Sequence, residues 1–272
     1  AYGGYGSKDR YEGNAMVNRF VNNDQITFMG GANNTNNMGF SDLASTMFSG
    51  MGGGGGRRGG FGAGSGITSS GNAGLNFSKE FKPDKLTLGG NTRYSHSDND
   101  ARSKSDRQNI LPGDSSSYDN SEAMSRTKSD NFGVDFRLEW KPDTMTQLIF
   151  RPSFSFSHSM NDNFSDATTL DNERDTVNTN KSSNYSESNG YNLNASIDFS
   201  RKLNNKGRVF SATLSGGNSD SYSDGMNRSD IVYFNQTDAL KNSIIDQRSR
   251  YDNKGFNYRA YVSWVEPIGH NN

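Results

Sequence analysis

One segment of the chain has residue types that suggest phosphate chemistry: the glycine run Gly52–Gly60, broken by Arg57-Arg58. A phosphate-cradling loop needs a Gly-Lys-Ser/Thr ending and a following helix, and this run has neither. It reads as a flexible loop with a solvated basic tip. Three acidic and amide clusters, Asp98-Asn99-Asp100, Asn161-Asp162-Asn163 and Asp171-Asn172-Glu173, carry the hard oxygen ligands that calcium prefers. Neither EF-hand spacing nor a calcium-binding nonapeptide repeat accompanies them, so they read as a solubilising rim and no metal site is expected. His96, His158 and His270 lie far apart in sequence. No nucleophile stands beside a base, so neither enzyme nor cofactor is expected. What remains is a set of charges at alternate positions, Asp135, Arg137 and Glu139, followed by Arg151. These four are the candidate ligand-contacting residues, and wetting of a wall or contact with another domain is the plainer role for them.

The elements that hold these charges are set by an unusual composition. Of 272 residues only 30% are hydrophobic, 31 are glycine, and the mean hydropathy is -0.90. An ordinary globular core needs about 45–50% apolar residues. The 17 Phe, 12 Tyr and 2 Trp nevertheless argue against disorder. The apolar residues must therefore lie on one thin face. A net charge of -1 gives no sign of nucleic-acid binding, and the absence of cysteine excludes disulfides and thiolate metal sites. No apolar run of about 18 residues is present, so no helix spans a membrane.

Short turn signals recur about every 60 residues: Val21-Asn22-Asn23-Asp24, Lys82-Pro83-Asp84-Lys85, Lys141-Pro142-Asp143-Thr144, Asn204-Asn205-Lys206-Gly207 and Glu266-Pro267-Ile268-Gly269. Between them lie two strands and a long polar segment, at 37–66, 95–119, 160–183 and 220–243. Short turns at one end and long excursions at the other is the layout of an outer-membrane barrel, not of a sandwich.

Alternation identifies the strands. Phe132, Val134, Phe136, Leu138 and Trp140 interleave with Gly133, Asp135, Arg137 and Glu139. Leu148, Phe150, Phe154 and Phe156 form a second set, with Ile149 and Pro152 as exceptions. Tyr191–Phe199 and Phe256–Trp264 repeat the pattern. Each apolar stretch covers about nine residues, the length a tilted strand needs to cross a bilayer. Phe20, Phe81, Trp140 and Trp264 stand just before short turns, as an interfacial aromatic belt would. Nine strands and an N-terminal stub are expected, at 1–6, 10–20, 25–36, 66–81, 86–107, 118–140, 146–166, 180–203, 209–233 and 244–265. The fold class is thus all-β, an antiparallel transmembrane barrel segment left open because it is incomplete.

Gly4-Tyr5-Gly6-Ser7-Lys8-Asp9-Arg10-Tyr11-Glu12-Gly13, Asn18-Arg19-Phe20, Gly30-Gly31-Ala32-Asn33-Asn34-Thr35-Asn36-Asn37-Met38-Gly39-Phe40-Ser41-Asp42, Gly66-Ile67-Thr68, Trp140-Lys141-Pro142-Asp143 and Phe150-Arg151-Pro152 resemble the barrel of TonB-dependent receptors of the Bacteroidetes-type outer-membrane β-barrel family. The resemblance covers the chain and is sharpest up to Phe81. It implies residence in the outer membrane of a Gram-negative cell and active uptake of a scarce nutrient, or surface binding in a receptor that no longer transports. The implied partners are outer-membrane lipid, a plug domain of the same full-length chain, an inner-membrane energy-coupling protein and an extracellular ligand. On this reading residues 1–272 are the N-terminal part of the barrel domain, without plug or C-terminal strands. A plug-less surface adhesin or assembly-type barrel and a soluble all-β binding protein are the alternatives.

One register follows from the Lys141-Pro142-Asp143-Thr144 turn. A three-residue loop at 142–144 pairs Leu138 with Leu148 and Phe136 with Phe150. It also sets Asp135 directly across from Arg151.

Overall fold

In a computed structural model, residues 1–36, 66–110, 116–205, 207–234 and 242–267 are described. The glycine run with Arg57-Arg58, the residues around Lys206 and Ile268, and His270 fall wholly or partly outside them. Ten strands form one antiparallel meander: β1 Tyr2–Tyr5, β2 Tyr11–Val21, β3 Asp24–Asn33, β4 Ile67–Lys82, β5 Leu86–Ile110, β6 Ser116–Trp140, β7 Thr146–Leu170, β8 Thr176–Lys202, β9 Val209–Tyr233 and β10 Ser243–Val265. Every neighbour in the sheet is a neighbour in sequence, and among the described residues β1 and β10 do not pair with each other. No helix occurs among them. The sheet is an open barrel segment.

The pairing brings the apolar sets onto one face. Leu86 faces Trp140, Leu88 faces Leu138 and Tyr94 faces Phe132. Trp140, Leu138, Val134 and Phe132 face Leu148, Phe150, Phe154 and Phe156. These face Phe199, Ile197, Leu193 and Tyr191. The set continues through Ile197 to Leu214 on β9 and from Phe210 to Trp264 on β10. Rings meet across it, Phe77 to Phe136 at 6.2 Å between centroids and Phe210 to Trp264 at 6.4 Å. Gly90 lies between the first two rings, and a Cβ there would come 2.6 Å from Phe136 Cδ1.

The opposite face is the crowded one. Thr27, Met29, Asn76 and Asn91, all buried, lie on it, while Ile26, Phe28 and Leu75 on the apolar face are exposed. A sheet that curls crowds its concave side, so the polar face is concave and the apolar face convex. Phe20 departs from expectation. It pairs with Gln25, whereas Ile26 and Phe28 face Arg19 and Val17, so the parity of β2 puts Phe20 on the concave side, outside the aromatic belt.

The register between β6 and β7 is corrected by two residues. Asp135 faces Ser153, not Arg151, and Leu138 faces Phe150, not Leu148. The two Lys-Pro-Asp motifs close differently. At the first, Lys85 N–H donates to the Lys82 carbonyl at 3.0 Å and Asp84 adopts φ 56, the arrangement of a type II turn. Glu80 fastens it by accepting the Asp84 N–H at 2.6 Å. The matching Glu139 is instead taken by Lys141 Nζ at 2.8 Å and Gln147 Nε2 at 2.8 Å. Asp143 then organises a wider turn, accepting from Met145 N–H at 2.8 Å and Thr146 N–H at 2.7 Å. Alignment of the apolar band favours this. The expected register sets Trp140 against Thr146 and Asp130 against Phe156; the observed one sets Trp140 against Leu148 and Phe132 against Phe156. A two-residue shift preserves side-chain parity, so the faces are unchanged.

Candidate functional site

The four candidate residues all lie on the concave face, at the height of the apolar band, and they do not form one cluster. Asp135 accepts from the Arg93 guanidinium on β5. That guanidinium lies over Gly133, where a Cβ would stand 3.0 Å from Arg93 Cζ. Arg137 donates to Glu139 at 3.1 Å, two residues along the same strand. Arg151 bonds Asp198 on β8, which also accepts from Thr213 Oγ1 at 2.8 Å. Three separate charged groupings therefore line this wall. Their members are partly solvated, so each pair is worth under about 1 kcal/mol. Arg93 and Asp198 were the missed members, and the parity of their strands was the signal for them.

Away from the short turns the strands run on as long arms, and one expected loop, 160–183, shrinks to a short tip. The polar segment 160–183 is ladder except around Asp171, which accepts from Glu173 N–H and Asp175 N–H, each at 2.9 Å. In the arms the two faces differ in kind. The convex side, continuous with the apolar band, is charged. Arg126 donates to Asp98 at 3.0 and 2.7 Å, Lys104 to Glu122 at 3.1 Å, and Arg248 pairs with Asp224. The Arg126 guanidinium holds the Asp98 carboxyl below the usual carboxylate range. Where apolar gives way to charged, Asp130 accepts from Tyr94 Oη at 2.7 Å and meets His96 Nδ1 at 2.8 Å. These contacts, the Tyr94 hydroxyl foremost, lower the Asp130 pKa. His158 lies directly across from Asp130 and meets Asn189 Oδ1 at 2.7 Å.

The concave side of the arms is almost free of charge. It carries alternate residues from Ser95 to Asn109, Ser117 to Asn131, Ser157 to Thr169, Asn178 to Gly190, Ser219 to Tyr233 and Ser243 to Gly255. Charge appears along these stretches only at Arg107 and Asp119, which face each other near a tip. The rest is mainly Ser, Thr, Asn and Gly. Ser125 Oγ donates to Asn163 Oδ1 at 2.6 Å, and hydroxyls meet at Ser159–Ser188 (2.7 Å) and Ser165–Ser182 (2.8 Å). A hollow of about 580 Å³ opens at Asn163, Asn184, Gly225, Asn227 and Gln247.

No family model and no curated protein matches the sequence. Among solved structures, the ferric yersiniabactin uptake receptor FyuA of Yersinia pestis aligns over 95% of this chain and 43% of its own, at 10% identity and a TM-score of 0.21. The copper transporter OprC aligns over 88% of this chain and 52% of its own, at 8% identity and a TM-score of 0.20. This chain thus spans about half the length of either protein. Likeness at that level carries no argument, and the description of an open barrel segment rests on the strand pairing itself.

Proposed function

We propose that this chain is part of an outer-membrane barrel receptor that takes up a nutrient with energy supplied from the inner membrane. The observation that carries the reading is the convex apolar band, which crosses six consecutive strands, is interrupted by Thr92 on β5 and Asn218 on β9, is held in line by the register and ends at the short turns. Nine residues at about 3.3 Å each, tilted about 40°, span roughly 23 Å, close to the ~25 Å apolar belt of such barrels. A soluble protein gains nothing from exposing Phe256 and Tyr258 at more than 70%. The concave wall faces the passage, and Asp135, Arg137, Glu139 and Arg151 contact a plug domain or wet the wall. Lipid, plug and an energy-coupling protein are the partners, and no catalytic role is proposed.

The chain has no cysteine, so single cysteines test this directly. In intact cells a membrane-impermeant thiol reagent should label Ser103→Cys on an arm and leave Pro142→Cys at a short turn unlabelled until the envelope is opened. Equal labelling of both, or recovery of the protein without detergent, would overturn the reading.

A further inference from the structure

The two sides of the arms are both polar, yet nearly all of the charge is on one. Solubility does not require this, since either face could carry it. A wall that binds an anion or a cation carries the opposite charge, and the concave arm face carries almost none. A wall that binds an uncharged hydrogen-bonding partner presents paired donors and acceptors, which hydroxyls and carboxamides do.

That face holds one place where such groups concentrate. Asn163, Asn184, Asn227 and Gln247 stand directly across from one another on β7, β8, β9 and β10, forming a rung of carboxamides over four strands. Asn163 is engaged by Ser125, whereas the amides of Asn184, Asn227 and Gln247 bond no other described residue. Beside the rung, Gly225 supplies no side chain, and a Cβ there would come 2.7 Å from Ser249 Oγ. The hollow over these residues, about 580 Å³, is within the size of a small-ligand site; the one charged residue that it touches, Arg248, is paired with Asp224. Four residues along β10, Tyr251 stands 63% exposed on the same face, an aromatic surface on which a sugar ring can stack.

We infer that the carboxamide rung Asn163–Asn184–Asn227–Gln247 is a binding site for an uncharged, hydroxyl-rich ligand, a neutral oligosaccharide. Vicinal hydroxyls donate to the amide oxygens and accept from the amide nitrogens, and the neighbouring serines extend the same exchange. The inference rests on the proposed reading only in taking the concave face as the passage wall.

The test is calorimetric titration of the full polypeptide in detergent with maltohexaose, cellohexaose, xylohexaose and mannohexaose, and with the acidic hexagalacturonate. An uncharged hexasaccharide should bind, and Asn184→Asp and Asn227→Asp should each weaken it at least about tenfold, the size of one lost hydrogen bond. Arg228→Gln, on the convex side, should leave it unchanged. Heat-dependent gel migration reports folding of each variant, and Gln247→Glu introduces the same charge on β10 should an Asp variant not fold. The inference is overturned if no uncharged hexasaccharide binds, if hexagalacturonate binds as tightly, or if the charged variants bind like the parent. Binding without uptake in cells would sink the transport reading alone; uptake of a solute indifferent to these variants would sink the rung alone.

Discussion

Arg151 on β7 reaches across to Asp198 on β8 and leaves Asp135 on β6 to Arg93. Both members of the expected Asp135–Arg151 pair thus find their partners on strands other than the ones that sequence reasoning chose. The pairs are diagonal: Asp198 faces Ile149 and Asp135 faces Asn91, so the charges stagger along the wall.

The register can be checked by engineered disulfides in this cysteine-free chain. Asp135→Cys with Ser153→Cys places two directly opposed Cβ atoms at about 4.5–5.5 Å, within reach of bridging after small adjustment. Asp135→Cys with Arg151→Cys should cross-link poorly under the same oxidation. A gel shift for the second pair and none for the first would restore the narrower turn.

The two faces should differ in their tolerance of charge. Phe136→Arg on the convex band should cost about 2–4 kcal/mol in membrane assembly, whereas Arg137→Ser on the concave wall should cost little. Folding yields into lipid vesicles give the comparison, and equal yields would contradict the assignment of faces.

The two Lys-Pro-Asp turns should respond oppositely to glycine. Asp84 sits at φ 56, which glycine adopts without strain, so Asp84→Gly should be neutral or mildly stabilising. Asp143 acts through its carboxylate, so Asp143→Gly should slow refolding several-fold. The Met145 N–H, chief among its donors, lowers the Asp143 pKa. Its contribution is therefore complete above the ordinary carboxylate value near 3.8 and fades as pH falls through the lowered folded value. Refolding rates between about pH 2 and pH 5 should show this step in the parent and not in Asp143→Gly.

Acid should loosen the arms by the same logic. Asp98, held low first by Arg126, adds stability that is present above its ordinary value of 3.8 and lost below it. Protection of β5 amides from hydrogen exchange, corrected for intrinsic rate, should fall more between pH 5 and pH 3 in the parent than in Asp98→Asn. Identical profiles would mean that the pair does not hold the arm.

The convex band was legible because alternation over nine residues, as in Phe132–Trp140, admits one face only. Strand ends were legible because Pro83, Pro142 and Gly207 punctuate them. The β6–β7 register was not, because it was taken from a three-residue loop at 142–144, and the Asp143 carboxylate organises a wider turn there. Glu139 gave no hint in one dimension that it would leave its turn for Lys141. The arms were read as polar but not as two-sided. Serine, asparagine and aspartate all count as hydrophilic, and only pairing separates the hydroxyl row Ser125–Asn163 from the charged row Arg126–Asp162 one residue away.

That separation has a consequence for how such arms change length. Side chains alternate strictly, so removing one residue from an arm turns every serine beyond the cut outward and every aspartate and arginine inward. Removing two from a strand and two from its hairpin partner shortens the arm by a step and leaves both surfaces intact. Natural relatives should therefore differ in arm length by matched even increments, and an odd insertion should be found only at a bulge, such as the one between Thr169 and Leu170.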